Sequence, residues 1–552
     1  MPGTIAKANL CAAKDAECSG PRERKIVALF CCLAAIHVLV FSAAAPPYNS
    51  MDEQRHLDLV VKYSHGCVPR DLAPLSSETA EYLATYESPE YSIPPDAFPG
   101  GTYPLPLWAT PADQAASVLQ ERVAAWQKWR NHEVAQPPLY YALAGIWWKA
   151  GGALGLTGGL RLYWLRFLNV WLVAALVWLG YAVARKIFQD AFLRLAVPAL
   201  LAFMPQTILC SINNDALTPL TFGAAFLCLI LFCETDIPGI RLGAAAGLAF
   251  AAAYLTKATN VPPLAVWLLL AAWKVLRLAK SAKLRAALPA LAVLSFCAAV
   301  PVIAWMAWCE IHFGDLTGSV MKARFLTWTL KPFPEWWHHP IFSLEGAWTF
   351  LSGLLATFWR GEYIWGLQQL YPPEIDLVYV LASLGFLITA LAVLVRPSTN
   401  ISGPQRRQSR RQAQRQGDQP QPVADLSGPQ RQALWFALAS CAASVAFLGF
   451  VSVIYDFNTC QYPSPRHPFF TSGRLMLGPL IPFLLLFAFG LGRALRPWGN
   501  LAKFYALAGI VLFMLISETV VDQPLFASNY NFFHIITCRE QAAAGLPPPG
   551  PR

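Results

Sequence analysis

The sequence predicts an all-α polytopic membrane protein, a bundle of about eleven transmembrane helices with two long outer loops. Three observations lead there. Of the 552 residues, 56% are hydrophobic and only 13% charged, more apolar surface than a soluble fold hides. Apolar runs of about twenty residues, the length a helix needs to cross the hydrocarbon, recur along the whole chain. Hydrophobicity within these runs does not alternate from residue to residue, which excludes a membrane β-barrel.

The first run covers about residues 26–45 behind Arg22, Arg24 and Lys25. Its flanks are those of a signal peptide, but it is too long for one, and the polar cluster directly behind it suits a retained, membrane-anchored helix. Further runs lie at about 163–184, 192–210, 216–233, 242–256, 261–279, 286–308, 376–395, 433–454, 474–492 and 501–520. The segment "PPLYYALAGIWWKAGGALG" from Pro137 is ambiguous, and charge decides it. If it lies at the interface, then Arg185 and Lys186, the cluster from Lys274 to Arg285, the Arg-rich stretch after Arg396, and Arg493, Arg496 and Lys503 all fall on the N-terminal side, as the positive-inside rule requires. The Pro-Pro start and Trp147, Trp148 and Lys149 fit an amphipathic interfacial helix. The expected location is a bacterial inner membrane, with a cytoplasmic N-terminus and an external C-terminus.

The net charge of +10 is therefore topogenic, not a nucleic-acid footprint. Residues 1–396 read as one module with outer loops at 46–162 and 309–375. Residues 397–432, rich in Gln, Arg and Pro and repeating SGPQR at Ser402 and Ser427, read as a disordered basic cytoplasmic linker facing anionic membrane lipids. Residues 433–552 supply the last spans and an external tail. Thirteen Cys form no CxxC pair; Cys67, Cys309, Cys460 and Cys538 could pair outside, and spacing does not choose partners. Eight of the nine His, all but His37, fall on the outer side, so polar chemistry faces outward.

"MDEQRH" puts Asp52, Glu53, Arg55 and His56 just beyond the first span. A carboxylate so close to the membrane surface can act as a base toward a substrate delivered by lipid. Matching polar residues recur at other outer membrane edges: Asn214 and Asp215 in "SINNDALTP", Lys257 in "AYLTKATNVPP", and Arg474 in "FFTSGRLMLGPL". Lys257 and Arg474 suit a phosphate held at the interface, Arg as a fork and Lys as a point charge; the alternative for each is interfacial anchoring. For Asn214 and Asp215 the alternative is a helix N-cap. The tryptophans between His312 and Tyr371 suit sugar stacking or an interfacial belt.

The order of these features, "DEQRH" after a first helix, a long outer loop closing on "HEVAQPPLYYALAG", then "RLYWLRFLN" opening the next span, resembles the polyprenyl-phosphate-sugar-dependent glycosyltransferases of the GT-C fold. Within that group the chain is similar to the lipid A aminoarabinose transferases and protein O-mannosyltransferases, and "SGRLML" is similar to a GR-type motif that other bacterial membrane proteins pair with DExxH. Gln136 departs from the pattern, where relatives often carry Lys or His, and no WWDYG-like signature is present.

The resemblance implies a GT-C-like bundle that moves a sugar from a polyprenyl-phosphate donor to an extracytoplasmic acceptor, an envelope glycan, lipid or protein, without a nucleotide. It implies Asp52 as general base, Glu53 orienting the acceptor or binding a divalent metal, and Arg55 tuning Asp52 or touching the donor phosphate. Lys257, Arg474 and Arg166 would bind that phosphate; His56, Asn214 and Asp215 would contact substrate. A metal held by His338, His339 and Glu53 is disfavoured, because adjacent His point apart and zinc spacings are absent. The rival reading is a transporter or flippase of lipid-linked glycan, which predicts an internal repeat that the chain does not display.

Overall fold

The computed structural model describes residues 3–48, 52–396 and 426–543, and over these the chain is mostly helical. Among the described residues, eight helical segments are long and apolar enough to cross a membrane: Pro21–Ala44, Gly158–Ile187, Asn214–Glu234, Ala258–Lys280, Leu284–Phe313, Pro373–Val395, Gly428–Ile454 and Arg496–Val521. Three shorter apolar helices, Ala191–Ala202, Ile240–Thr256 and Leu480–Ala494, lie among them. Among the described residues, strands are confined to two short antiparallel pairs, Thr329–Leu330 with Tyr455–Asp456 and Ile364–Trp365 with Gln368–Gln369.

The Leu480–Ala494 helix is the axis of the bundle. Every residue from Leu480 to Gly492 is buried, as expected of a helix hydrophobic on all sides. It packs against the Pro373–Val395, Gly428–Ile454 and Ala191–Ala202 helices. Small residues bring other helices close: in "GAAAG", a Cβ on Gly243 would stand 2.2 Å from the Ala290 carbonyl oxygen, and one on Gly247 2.4 Å from that of Leu294. This small-xxx-small face seats the Ile240–Thr256 helix on Leu284–Phe313.

The first outer loop folds back on itself. The amphipathic helix Glu53–Ser64 lies on Leu139–Ala153, the segment read as interfacial, which is 15 residues long. Asn131 holds the end of the loop to the Glu53–Ser64 helix, donating to the Arg55 carbonyl and to Asp58 at 2.9 Å each. Trp147 stacks on Trp164 with ring centroids 4.3 Å apart, and each indole donates to the other's carbonyl.

Two expectations change. Helix Gly428–Ile454 begins inside the stretch assigned to the linker, because Ser427 and Gln430 form a capping box; residues 397–425 lie outside the described residues. Cys67, Cys309, Cys460 and Cys538 are all free thiols.

Glu90 joins the outer loop to the C-terminal segment. It is buried and accepts from the hydroxyls of Ser528 at 2.5 Å and Ser88 at 2.8 Å. Burial pushes its carboxyl up to about 7, against the pull of the two hydroxyls. The folded chain then holds this proton more tightly than the unfolded chain, so the stabilisation is complete below the ordinary 4.5 and is lost as pH rises through about 7. Thermal unfolding in detergent is expected to shift to lower temperature between about pH 6 and about pH 8, and Glu90→Gln to flatten that slope. An equal slope in the variant would refute the assignment.

Candidate functional site

The site begins where the first helix ends. Arg166, fully buried, makes a two-pronged ion pair with Glu53, Nε to Oε1 at 2.8 Å and Nη2 to Oε2 at 2.7 Å. Its remaining donors go to the carbonyls of Ser42, Ala45 and Pro46. Glu53 also accepts the backbone N–H groups of Tyr48 at 2.8 Å and Ile212 at 2.9 Å. The expectations for both residues are therefore corrected. Arg166 has committed its guanidinium and cannot fork a phosphate, and Glu53 has no face toward an acceptor or a metal. Together they are a strut that fixes the exit of the first helix.

That strut presents Asp52. The residue precedes the Glu53–Ser64 helix with φ 59° and ψ 15°, a left-handed conformation that is uncommon for a side chain other than glycine. An aspartate there ordinarily accepts from the first-turn N–H groups, yet this carboxylate makes no cap bond. It turns instead to Arg55, at 2.7 Å, and to Arg474, at 3.3 Å, which is 422 residues distant in the chain.

Arg474 is held by the rest of its motif. A Cβ on Gly473 would lie 2.0 Å from the Phe358 backbone nitrogen, so only glycine lets this segment press against the Leu344–Arg360 helix. The Gly473 N–H donates to Thr357 Oγ1 at 2.9 Å, and the Ser472 hydroxyl donates to Glu362 at 2.9 Å. From there Arg474 reaches three carboxylates: Asp52 and Asp215 at 3.3 Å, and Glu362 at 3.5 Å. All three separations exceed the 2.7–2.9 Å usual for charged N–H···O pairs, so Arg474 is loosely shared.

Behind this edge lies a closed charge network. Asp215 is fully buried and pairs with both Lys257 and Arg474. Lys257 is itself only 4% exposed, so a phosphate would reach it only by displacing Asp215. Asn213, not Asn214 or Asp215, caps the local turn by accepting from the Asp215 N–H. Asn214 donates to Gln136 and to the Thr256 carbonyl at 3.1 Å each. His56 is buried 2.7 Å from the Tyr141 hydroxyl, and burial lowers its pKa to about 4 against the pull of Glu133 and Asp52, leaving a neutral ring that locks two helices. The substrate-contact expectation is thus corrected for Asp215 and His56, which have no exposed polar face.

Four residues not singled out from the sequence, His132, Glu133, Lys322 and Glu362, complete the network. Glu133 accepts from Lys322 at 2.5 Å and from Gln136 at 2.6 Å, and His132 lies beside it at 3.2 Å. Glu133 and Gln136 stand inside the quoted "HEVAQPP", so position in that motif was the available signal; Glu362 and Lys322 carry none beyond lying in the second outer loop. Four carboxylates, Asp52, Glu133, Asp215 and Glu362, meet four cations, Arg55, Lys257, Lys322 and Arg474. Burial and the Glu133 charge push the Asp52 carboxyl up, but Arg474 and Arg55 outweigh them and hold it below the ordinary 3.8. Glu133 also ends well below the carboxylate range, because Lys322 and His132 overcome its burial.

Asp52, His132 and Glu133 have ligand atoms within 4.8 Å of one another, the spacing of a divalent-ion site. Both Glu133 oxygens are already taken by Lys322 and Gln136, and two guanidinium groups hold Asp52, so the residues present fit a dication poorly. His339 is spent on the Pro468 carbonyl and the Ile341 N–H, and cannot join a metal with Glu53.

A family model described as "Predicted membrane protein (DUF2142)" matches residues 35–408, more than half of the chain. The chain belongs to the DUF2142 family. No curated protein matches it. The DUF2142 match takes in Asp52, Glu133, Asp215, Lys257 and Glu362 but ends before Arg474.

The strut and the accessible edge should separate experimentally. Arg166→Met strands a buried carboxylate and is expected to cost about 3–5 kcal/mol, whereas Asp52→Asn, at a residue 26% exposed, should cost less than about 1 kcal/mol. Denaturant unfolding in detergent reads both; equal losses would show that Asp52 too is only structural.

Proposed function

We propose that this DUF2142 protein is a membrane glycosyltransferase that moves a sugar from a polyprenyl-phosphate donor to an acceptor on the outer side. The single observation carrying this reading is the Asp52–Arg474 edge, a carboxylate and a loosely held guanidinium side by side at the partly open rim of a balanced charge network. In this reading the eight long spans and the three short apolar helices make up a GT-C-like bundle of eleven, in a bacterial inner membrane with the N-terminus inside.

The chemistry follows from the charges. The acceptor hydroxyl oxygen attacks the anomeric carbon, the bond from that carbon to the phosphate oxygen breaks, and the electron pair leaves on a phosphate monoester. The proton of the attacking hydroxyl passes to Asp52. A carboxylate held below 3.8 is a weak base, so the proton transfers late, once bond formation has made the hydroxyl acidic. Arg474 binds the donor phosphate and meets the charge that grows on the leaving oxygen. In moving to the phosphate it loosens from Asp52 and raises that carboxyl's proton affinity, so donor binding primes the base. Arg55 keeps Asp52 ionised, and Lys257 steadies Arg474 through Asp215.

A transporter of lipid-linked glycan is the second reading. It is favoured by the His37–Glu518 pair, 2.7 Å apart and buried among the spans, since ionisable groups at such depth often mark a transport path.

Purified protein incubated with a panel of polyprenyl-phosphate sugars is expected to release polyprenyl phosphate. Asp52→Asn should slow that release about a hundred- to ten-thousandfold, and Arg474→Lys should weaken donor use. Turnover unchanged by Asp52→Asn would remove the base, and transport of intact donor without cleavage would favour the second reading. Because Asp52 stays ionised above its lowered pKa in the donor-free protein, kcat/KM should be level from about pH 5 to about pH 8 and fall only as pH drops through that pKa.

A further inference from the structure

At the end of the bundle remote from Asp52, a cavity of about 400 Å³ opens where the Leu480–Ala494 helix ends and Gly499–Val521 begins. Among the described residues Arg493, Arg496 and Lys503 line it together with one carboxylate, Asp190, and Phe188 and Phe489 form an apolar wall with Arg493 over the Phe489 ring. Cations at the ends of spans usually stretch outward to water. Lys503 does not: it is 9% exposed and donates to Asn500 Oδ1 at 3.1 Å. Its carboxylate neighbour, Asp190, is 3.9 Å away and already accepts the Phe192 N–H as a helix cap. The Gly499–Val521 helix opens on the same cavity with no side-chain cap and no acidic residue in its first turn, so its positive end adds to the field.

We propose that this cavity binds a phosphate ester, the shared chemistry of an anionic phospholipid headgroup and of soluble phosphate. The apolar wall beside the cations favours the lipid, and membranes place such headgroups at this depth. The site is independent of the Asp52 cluster and of the activity assigned there.

The test uses the full chain in neutral detergent, titrated with dioleoylphosphatidylglycerol, dioleoylphosphatidylcholine or sodium phosphate, with binding read by native mass spectrometry and by the shift in unfolding temperature. Saturable binding of phosphatidylglycerol over phosphatidylcholine is expected, weakened about tenfold in Arg493→Gln/Arg496→Gln and in Lys503→Gln. Saturation by sodium phosphate alone, lost in the same variants, would support the site with a soluble ligand. Equal binding of the two lipids, or binding indifferent to the substitutions in variants whose lipid-free unfolding temperature is unchanged, would overturn it.

Discussion

The buried pair between Arg166 and Glu53 is the constraint on which the outer half of the molecule rests. A guanidinium sealed from solvent needs every donor matched, and here the partners are the Glu53 carboxylate and three carbonyls at the end of the first helix. Glu53 in turn gathers N–H groups from Tyr48 and from Ile212, which begins the turn carrying Asp215. The first helix, residues 45–48 after it and the 207–216 segment are thereby locked into one register. Only in that register does Asp52 face Arg474.

Around this fixed point the site is built from compensated charge. Every carboxylate has a cation, and the pairs differ in grip. Glu53–Arg166 is short and fully buried and Lys322–Glu133 is short with its carboxylate buried, while the three contacts of Arg474 are long. Such a gradient confines rearrangement to one residue. An incoming anion can recruit Arg474 without dismantling the network beneath it, because each carboxylate Arg474 serves has a second partner, Arg55, Lys257 or Ser472.

The helix from Leu480 to Ala494 links the two ends of the protein. Its N-terminal side follows the "SGR" segment that carries Arg474, and its C-terminal side leads into the cavity lined by Arg493 and Arg496. Because it is packed on every side, it carries no lipid-facing surface and serves as the rigid core against which both polar ends are held.

The long apolar runs and their helical form were legible in composition and period, since a membrane span must satisfy its own backbone in any tertiary context. So was the polar character of the outer edges, and the capping box at Ser427 could have been read from its spacing. Which polar residues face a ligand was not legible. Asp52 and Glu53 are neighbours and chemically alike, but Asp52 stands before the helix in a left-handed conformation and Glu53 opens it, so one meets the open rim and the other the core. Arg166 and Arg474 likewise look the same in sequence, each a basic residue at the outer edge of an apolar run. One is spent on the chain that surrounds it, and the other is loosely held, because the desolvation of a guanidinium depends on what the distant segments bring to it and on nothing in its own neighbourhood.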